Sequence, residues 1–270
     1  MTVLHLTDLH LFADPGRTLM GWATEDSFND VLDAALAERR PDAVVLTGDL
    51  TQDGSPDAYI RLARRLRALG CPCLCLPGNH DHAVRMAAAL APFPWMRSGT
   101  LDLAPRRSEL SPGAWRLVAV DTSTLDGDHG VLSATKLQRL DAALRAAPGR
   151  RTLVALHHPP VSVGAAWLDA IGLHDAEAFW RVVDRHPHVE AVLFGHIHQA
   201  LEAERLSPSG HAVRVLATPA TCFQFSPGTA DFALDDRPPA YRWLYLDGPV
   251  RTELRRVEVA ASCLPTAAGY

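Results

Sequence analysis

The chain repeats one unit: a short apolar run, a polar turn, then a stretch whose apolar residues recur every three or four positions. The apolar runs predict strands at Val3 to Thr7, Ala43 to Thr47, Pro72 to Leu76, Trp115 to Asp121, Thr152 to Leu156 and Glu190 to Phe194. Amphipathic helices are predicted between them. Thr24 is placed to cap the first, which turns Phe28, Val31, Leu32, Ala35 and Leu36 to one face. The second opens at Ser55-Pro56, directs Tyr59, Leu62, Ala63, Leu66 and Leu69 inward, and stops at Gly70. Ser133 is placed to cap the third, with Leu137, Leu140 and Leu144 inward. Alternating strands and helices predict an α/β layered fold.

The last quarter changes period. Ala200 to Ala217 predicts a hairpin turning at SPSG, and Tyr241 to Val259 a second one turning near Asp247-Gly248-Pro249. Between them, Phe223 to Pro239 is rich in Pro, Gly, Asp and aromatics, and predicts a long ordered loop. No linker, low-complexity tract or internal repeat forces a boundary. Residues 1–270 are therefore expected to form one domain, β-hairpin-rich from about residue 200.

Composition narrows the class. At 270 residues and 47% hydrophobic content the chain can bury a sizeable core. The formal charge of −5 is mild and no basic stripe is present, so nucleic acid is not favoured as a partner. The start, MTVLHLTDLHLFAD, runs straight into a strand without a basic leader, and no apolar run is long enough to span a bilayer. The expectation is a soluble cytoplasmic protein with no membrane partner. Three of the five cysteines, Cys71, Cys73 and Cys75, alternate on one strand face, too close for tetrahedral zinc and poorly placed to pair. They read as small core residues in a reducing compartment.

The polar residues of interest follow apolar strands, where an α/β protein places its ligand-binding groups. In order they are Asp8-Leu9-His10, Gly48-Asp49, Gly78-Asn79-His80-Asp81, His157-His158 and Gly195-His196-Ile197-His198. Singly, the first three read as turn chemistry, while an apolar run ending in two histidines and two prolines is an odd way to leave a core strand, and GHIH, with two imidazoles alternating behind a glycine, is the strongest signal. Jointly they offer imidazole nitrogen with carboxylate and amide oxygen, a donor set suited to first-row divalent ions, and no thiolate. Asp49 is the natural bridge between two ions. That leaves Asp8, His10 and one histidine of GHIH for one ion, and Asn79, His157 and the other histidine for its neighbour. Two cations roughly 3.5–4 Å apart bind phosphoryl oxygens, hold a bridging hydroxide as nucleophile and neutralise the leaving oxygen, which is phosphoester hydrolysis.

The series DxH, GDxxxxG, GNHD, HH and GHxH, with Asp49 opening GDLTQDG, resembles the calcineurin-like metallophosphoesterases. The resemblance implies a four-layer αββα sandwich of two mixed sheets flanked by helices, and a centre of two divalent or mixed-valence ions, iron or manganese. It puts His198 with Asp8 and His10 on one ion, and His196 with Asn79 and His157 on the other. The family ligand is the first histidine after the strand; this chain offers two, His157 and then His158. The resemblance also makes His80 the catalytic acid or phosphate-stabilising residue, and His10, Asn79, His80 and His198 the substrate contacts.

DLHLFAD, LPGNHD, the HHPP run followed by Trp167-Leu168-Asp169, GHIHQ and ATPATCFQF are similar to bacterial class III cyclic-nucleotide phosphodiesterases, specifically those acting on 3′,5′-cyclic AMP. Ala220 stands where a hydroxyl residue is expected in that last run. The implied reaction is hydrolysis of 3′,5′-cyclic AMP to 5′-AMP by a metal-bridging hydroxide, with His80 at the departing ribose oxygen. The partner is then a small cyclic nucleotide, and a homodimer is compatible with the sequence. One rival keeps the metals and changes the diester, to a glycerophosphodiester, a 2′,3′-cyclic nucleotide or a nucleotide-linked substrate. The other is a non-catalytic scaffold, disfavoured because every ligand position is filled. Trp167, Phe223 and Phe225 either stack an adenine base or pin their loops to the core. Thr51, Gln52 and Asp53 read as turn and cap residues, and His129, His174, His186, His188 and His211 fall outside the site.

Overall fold

Side chains in strand β1 (Thr2–Leu6) alternate between two buried faces, Val3 toward one apolar cluster and Leu4 and Leu6 toward another. The same division runs through β2 (Ala43–Thr47), where Ala43 and Val45 oppose Val44 and Leu46, and β7 (Arg151–Ala155), where Leu153 and Ala155 oppose Val154. A strand apolar on both faces must lie between two covering layers. The computed structural model, which describes residues 1–104 and 114–260, places these strands so.

One sheet runs β14 (Arg251–Arg256), β13 (Ala240–Tyr245), β1, β2, β3 (Cys73–Leu76), β4 (Met96–Arg97). Its strands β1 to β4 are parallel, and β13 is antiparallel to β1. The second sheet runs β5 (Thr100–Leu103), β6 (Trp115–Ala119), β7, β8 (Val189–Phe194), β10 (Ala212–Ala217), β9 (Leu201–Leu206). There β6, β7, β8 and β10 are parallel, with antiparallel β5 and β9 at the edges. Helices α1 (Thr24–Glu38), α2 (Pro56–Leu66) and α3 (Ala83–Leu90) cover the first sheet. Helices α4 (Ala134–Arg145), α5 (Ala166–Ala170) and α6 (Ala176–Val183) cover the second. Val3, Val45, Leu74, Trp115, Leu117, Leu193, Leu216 and Leu244 fill the space between the sheets, each such side chain contributing about 1.5–3 kcal/mol on burial. The layering is the αββα sandwich of two mixed sheets that the motifs imply.

The expected strands are present to within one or two residues at each end. Helix α2 runs into a short 3₁₀ turn and stops at Gly70, whose φ of 65° lies in the left-handed region. Ser133 caps α4, its Oγ accepting from Lys136 N at 3.3 Å. Thr24 is a correction: it is the first residue of α1 rather than its cap, and its hydroxyl donates to the His10 carbonyl at 2.9 Å. Both expected hairpins form, and they complete different sheets, β9 and β10 on the second and β13 and β14 on the first. The stretch read as a loop carries a small antiparallel pair, β11 (Gln224–Phe225) with β12 (Leu234–Asp235). Cys73 and Cys75 are buried in the helix-covered cluster, Cys71 lies half-buried beside them, and all are free thiols. Cys263 lies outside the described residues. No helix of the described residues is long and apolar enough to cross a membrane.

Candidate metal centre

The loops leaving the parallel strands of both sheets meet at one rim and bring Asp8, His10, Asp49, Asn79, His80, His157, His196 and His198 together. His10 Nε2 lies 3.1 Å from His198 Nε2, and His198 Nε2 lies 3.5 Å from Asp8 Oδ1. On the other side, Asn79 Oδ1 lies 3.0 Å from His157 Nε2 and 3.1 Å from His196 Nδ1, and the two ring nitrogens are 3.2 Å apart. Asp49 Oδ2 stands between these groups, 3.4 Å from His157 Nε2 and 3.9 Å from His10 Nε2.

The chain bends sharply to reach this arrangement. Among the described residues, the non-glycine residues with left-handed φ are Asp8, His10, Asp49, His196 and His198, plus Met20. Each costs on the order of 1 kcal/mol relative to ordinary backbone, so the strain is concentrated at the residues that converge. Two glycines permit the close approach. A Cβ on Gly195 would lie 2.0 Å from Thr7 Oγ1 and 2.6 Å from Asp8 Oδ2, and one on Gly78 would lie 2.1 Å from Asp49 Oδ1.

Hydrogen bonds on the far side of three imidazoles settle which nitrogen faces the centre. His157 Nδ1 donates to the Thr47 carbonyl at 2.7 Å, His198 Nδ1 to the Phe223 carbonyl at 2.9 Å, and His10 Nδ1 to Gln52 Oε1 at 2.7 Å. A carbonyl oxygen only accepts, so all three rings carry their proton outward and turn an Nε2 lone pair inward. His196 turns Nδ1 inward and leaves Nε2 buried without a partner. Asp8 is held by the Thr7 hydroxyl at 2.7 Å and by His196 N at 3.1 and 3.0 Å, while Asp49 Oδ1 accepts from His80 N at 3.0 Å. Lone pairs and carboxylates facing one another at such distances repel unless a cation sits among them, so this donor set fits two shared divalent ions.

The ring nitrogens of His157, His158 and His196 also lie within 4.8 Å of one another. His158 is nevertheless committed elsewhere: Nε2 donates to the Asp128 carbonyl at 3.1 Å, and Nδ1 accepts from the Thr122 hydroxyl at 2.8 Å. It has no lone pair to give, whereas His157 has. Behind the centre, Asp81 accepts from Leu50 N, Thr51 N, Gly78 N and the Tyr59 hydroxyl, tying the loop that carries Asp49 to the one that carries Asn79.

Burial sets the charge states of the metal-free protein. It pushes His5 down to about 3, with Arg242 adding to the effect, and His10 to about 3. It holds His158 and His196 well below the usual imidazole range. Burial opposes charge on His157 as well, but Asp49 and Asp8 outweigh it and lift that ring to about 9, so without metal its Nε2 carries a proton facing Asp49, and the inward lone pair is the form a bound ion would take. Burial and the Asp49 charge raise Asp81 to about 6. The four depressed histidines take up protons on unfolding below pH 6.5, so they remove stability as pH falls toward 4. His157 is protonated in both states there, and Asp81 offsets part of the loss by binding its proton in the folded state. Chelator-stripped protein is therefore expected to lose melting temperature from pH 7 to pH 5; one fully expressed histidine alone gives about 1.4 kcal/mol per pH unit. A flat melting temperature across that interval would contradict these charge states.

A cavity of about 170 Å³ opens onto the centre, lined by the polar residues His10, Asp49, Asn79 and His80 and by the apolar residues Leu19, Met20, Trp167, Ile171, Phe223 and Phe225. The His80 imidazole, half-buried and edge-on to His10 at 5.2 Å, hydrogen-bonds to no other described residue. Phe225 stacks on His198 at 4.2 Å and 17°, and Phe223 on His10 at 5.7 Å and 26°, so these two wedge the histidines. Thr51, Gln52 and Asp53 form the expected turn, Thr51 and Asp53 holding it through Gly54 N and Ser55 N, and Gln52 in addition orients His10. Asp128 and Thr122 carry no motif and went unseen. Ala220 is fully buried, and its carbonyl accepts from Gln224 Nε2. His186 pairs with Asp141, His211 with the Val189 carbonyl, and His129 stacks on His174.

Comparison with known proteins agrees. Residues 1–200 match the calcineurin-like phosphoesterase family. A 3′,5′-cyclic-nucleotide phosphodiesterase of Nostoc sp. is 38% identical over 98% of this chain and 96% of its own. The 3′,5′-cyclic adenosine monophosphate phosphodiesterases CpdA of Vibrio vulnificus and Escherichia coli K12 are 38% and 37% identical, over 99% and 94% of this chain and 94% and 89% of theirs. Among solved structures, a dimetal phosphatase from Danio rerio covers 95% of this chain and 99% of its own at TM-score 0.57 and 17% identity, which bears on the fold alone. With its two helix-covered mixed sheets and its histidine and aspartate loops at their common rim, the chain belongs to the calcineurin-like phosphoesterases.

Proposed function

We propose that the chain hydrolyses 3′,5′-cyclic AMP to 5′-AMP, with one ion held by Asp8, His10 and His198, the other by Asn79, His157 and His196, and Asp49 shared between them. The observation that carries this reading is the convergence of inward-facing donors around Asp49 in a cavity that apolar side chains also line. Relatives spanning nearly the whole chain bear the same activity in their names. Enzymes of this family use two divalent metal ions; iron or manganese suits the nitrogen-rich set here. When bound, the ions supply positive charge for the phosphoryl oxygens and activate water for attack on phosphorus.

The chain's own residues do the rest. His10, Asn79, His80 and His198 meet the phosphate end of the substrate, and Trp167 and Ile171 offer an apolar wall for the base. Water attacks phosphorus opposite O3′, the P–O3′ bond breaks, and His80 delivers a proton to the departing oxygen. The test is turnover of 3′,5′-cyclic AMP beside 2′,3′-cyclic AMP, cyclic GMP and bis(p-nitrophenyl) phosphate, before and after chelation. Preferred, chelator-sensitive turnover of the first supports the proposal; turnover of the generic diester alone would send the substrate assignment elsewhere.

Trp167 stands edge-on to Phe225 at 5.0 Å and to Phe232 at 5.5 Å, which fixes its ring at the cavity wall. Base–aromatic stacking contributes about 1–3 kcal/mol. Trp167→Ala is expected to raise KM for 3′,5′-cyclic AMP by roughly 5- to 100-fold with kcat little changed, and Trp167→Phe to recover most of it. An unchanged KM in the alanine variant would take the base away from this wall.

A further inference from the structure

An asparagine that binds a cation must present its oxygen, yet the two ends of the amide have nearly the same shape and the terminal torsion is soft. Something has to choose between them at Asn79. Its Oδ1 faces His157 Nε2 and His196 Nδ1 at 3.0 and 3.1 Å, and its Nδ2 points at Asp128 Oδ1, 3.5 Å away. That separation is long for a hydrogen bond, so the preference is as much charge against dipole as directional bonding. Reversing the amide would set its oxygen against the Asp128 carboxylate and its NH₂ among inward lone pairs.

Asp128 sits on the loop between β6 and α4, is exposed, and belongs to no motif. Its position is nevertheless fixed. His158 bonds the Thr122 hydroxyl at 2.8 Å with one ring nitrogen and the Asp128 carbonyl at 3.1 Å with the other, joining both ends of the loop. Gly130 passes so close that a Cβ there would lie 2.6 Å from His158 Cγ, and Gly130 N is held by the Gly172 carbonyl at 3.0 Å. We propose that Asp128 is a positioning residue that turns the Asn79 oxygen toward the metal centre, and that His158 is the strut holding Asp128 in place. The inference rests on Asn79 being a ligand of the second ion.

The experiment titrates metal-stripped protein with Mn²⁺, following the free ion by its paramagnetic resonance signal, for the wild type, Asn79→Ala, Asp128→Ala, Asp128→Asn and His158→Ala. Because Asp128 is exposed, its replacement leaves the core intact. Asp128→Ala is expected to weaken one Mn²⁺ site by 10- to 100-fold and spare the other, the range for loss of a group that orients a ligand. Asp128→Asn, which keeps an oxygen acceptor but not the charge, recovers part of that affinity. His158→Ala weakens the same site, and combining it with Asp128→Ala adds nothing further, since both act through one contact. If Asn79→Ala loses a site and Asp128→Ala keeps both at wild-type affinity, the positioning role is overturned while the ligand assignment stands. If Asn79→Ala itself keeps both sites, the ligand assignment fails and the positioning role with it.

Discussion

Asp49→Ala will empty both ion sites and lower turnover of 3′,5′-cyclic AMP by at least about 10³-fold, since the metal contribution to such a barrier is several kcal/mol. The reason lies in where Asp49 stands. Its Oδ2 is 3.4 Å from His157 Nε2 on one side and 3.9 Å from His10 Nε2 on the other. Its neighbours hold it as an anion: burial disfavours the charge, but His157 and His80 overcome this and keep the carboxyl well below its usual range. Without it, buried imidazoles face each other with only Asp8 to balance a cation on either side. Metal content per chain is the direct readout. Asp49→Asn separates charge from shape, because the amide keeps an oxygen ligand and the hydrogen bond from His80 N while losing the bridge's charge. It is expected to retain more metal than the alanine variant and less than wild type. An alanine variant that held two ions per chain would remove Asp49 from the bridging position. Since Asp49 adopts a φ of 48°, where alanine is strained, the comparison is made on variants whose melting temperature in chelator has been checked.

The parts of this centre that were legible in the sequence share a property: they are chemically unusual residues placed just after apolar strands. His196 and His198 stand two apart behind Gly195, and that spacing needs no partner elsewhere in the chain to be noticed. The strands were legible for a similar local reason, since continuous apolar runs such as Ala43–Thr47 report burial on both faces. What escaped notice depends on contacts between distant residues. Gln52 reaches back 42 positions to His10, and Thr122 reaches 36 forward to His158. Neither type is rare, and neither sits in a pattern. The doublet His157-His158 shows the limit most clearly. Sequence offers two equivalent imidazoles, and only their outer partners, the Thr47 carbonyl for one and Thr122 with Asp128 for the other, separate ligand geometry from strut. Thr24 departs from the pattern because the chain enters the helix one residue earlier, with Ala23 at the cap position, so the Thr24 hydroxyl lies inside the first turn, where it donates to the His10 carbonyl.

His80→Ala is expected to lower kcat for 3′,5′-cyclic AMP by roughly 10²- to 10⁴-fold, the usual range for a lost general acid, while both ions stay bound. Its backbone N–H hydrogen-bonds Asp49 and alanine keeps that N–H, so only the ring's charge beside the Asp49 carboxylate is lost. The imidazole lines the cavity beside His10 and spends no hydrogen bond on another described residue, so its removal leaves the converging donors as they are. The choice between proton donor and stabiliser of phosphoryl charge can be made by changing the leaving group. O3′ of ribose departs as a strongly basic alkoxide unless protonated, whereas p-nitrophenolate leaves readily without help. A proton donor is therefore worth far more to the cyclic nucleotide than to bis(p-nitrophenyl) phosphate. If His80→Ala costs both substrates the same factor, the ring stabilises charge on the phosphoryl group and the proton comes from elsewhere. If the cyclic nucleotide loses at least about tenfold more, corresponding to about 1.4 kcal/mol of leaving-group assistance, His80 is the acid.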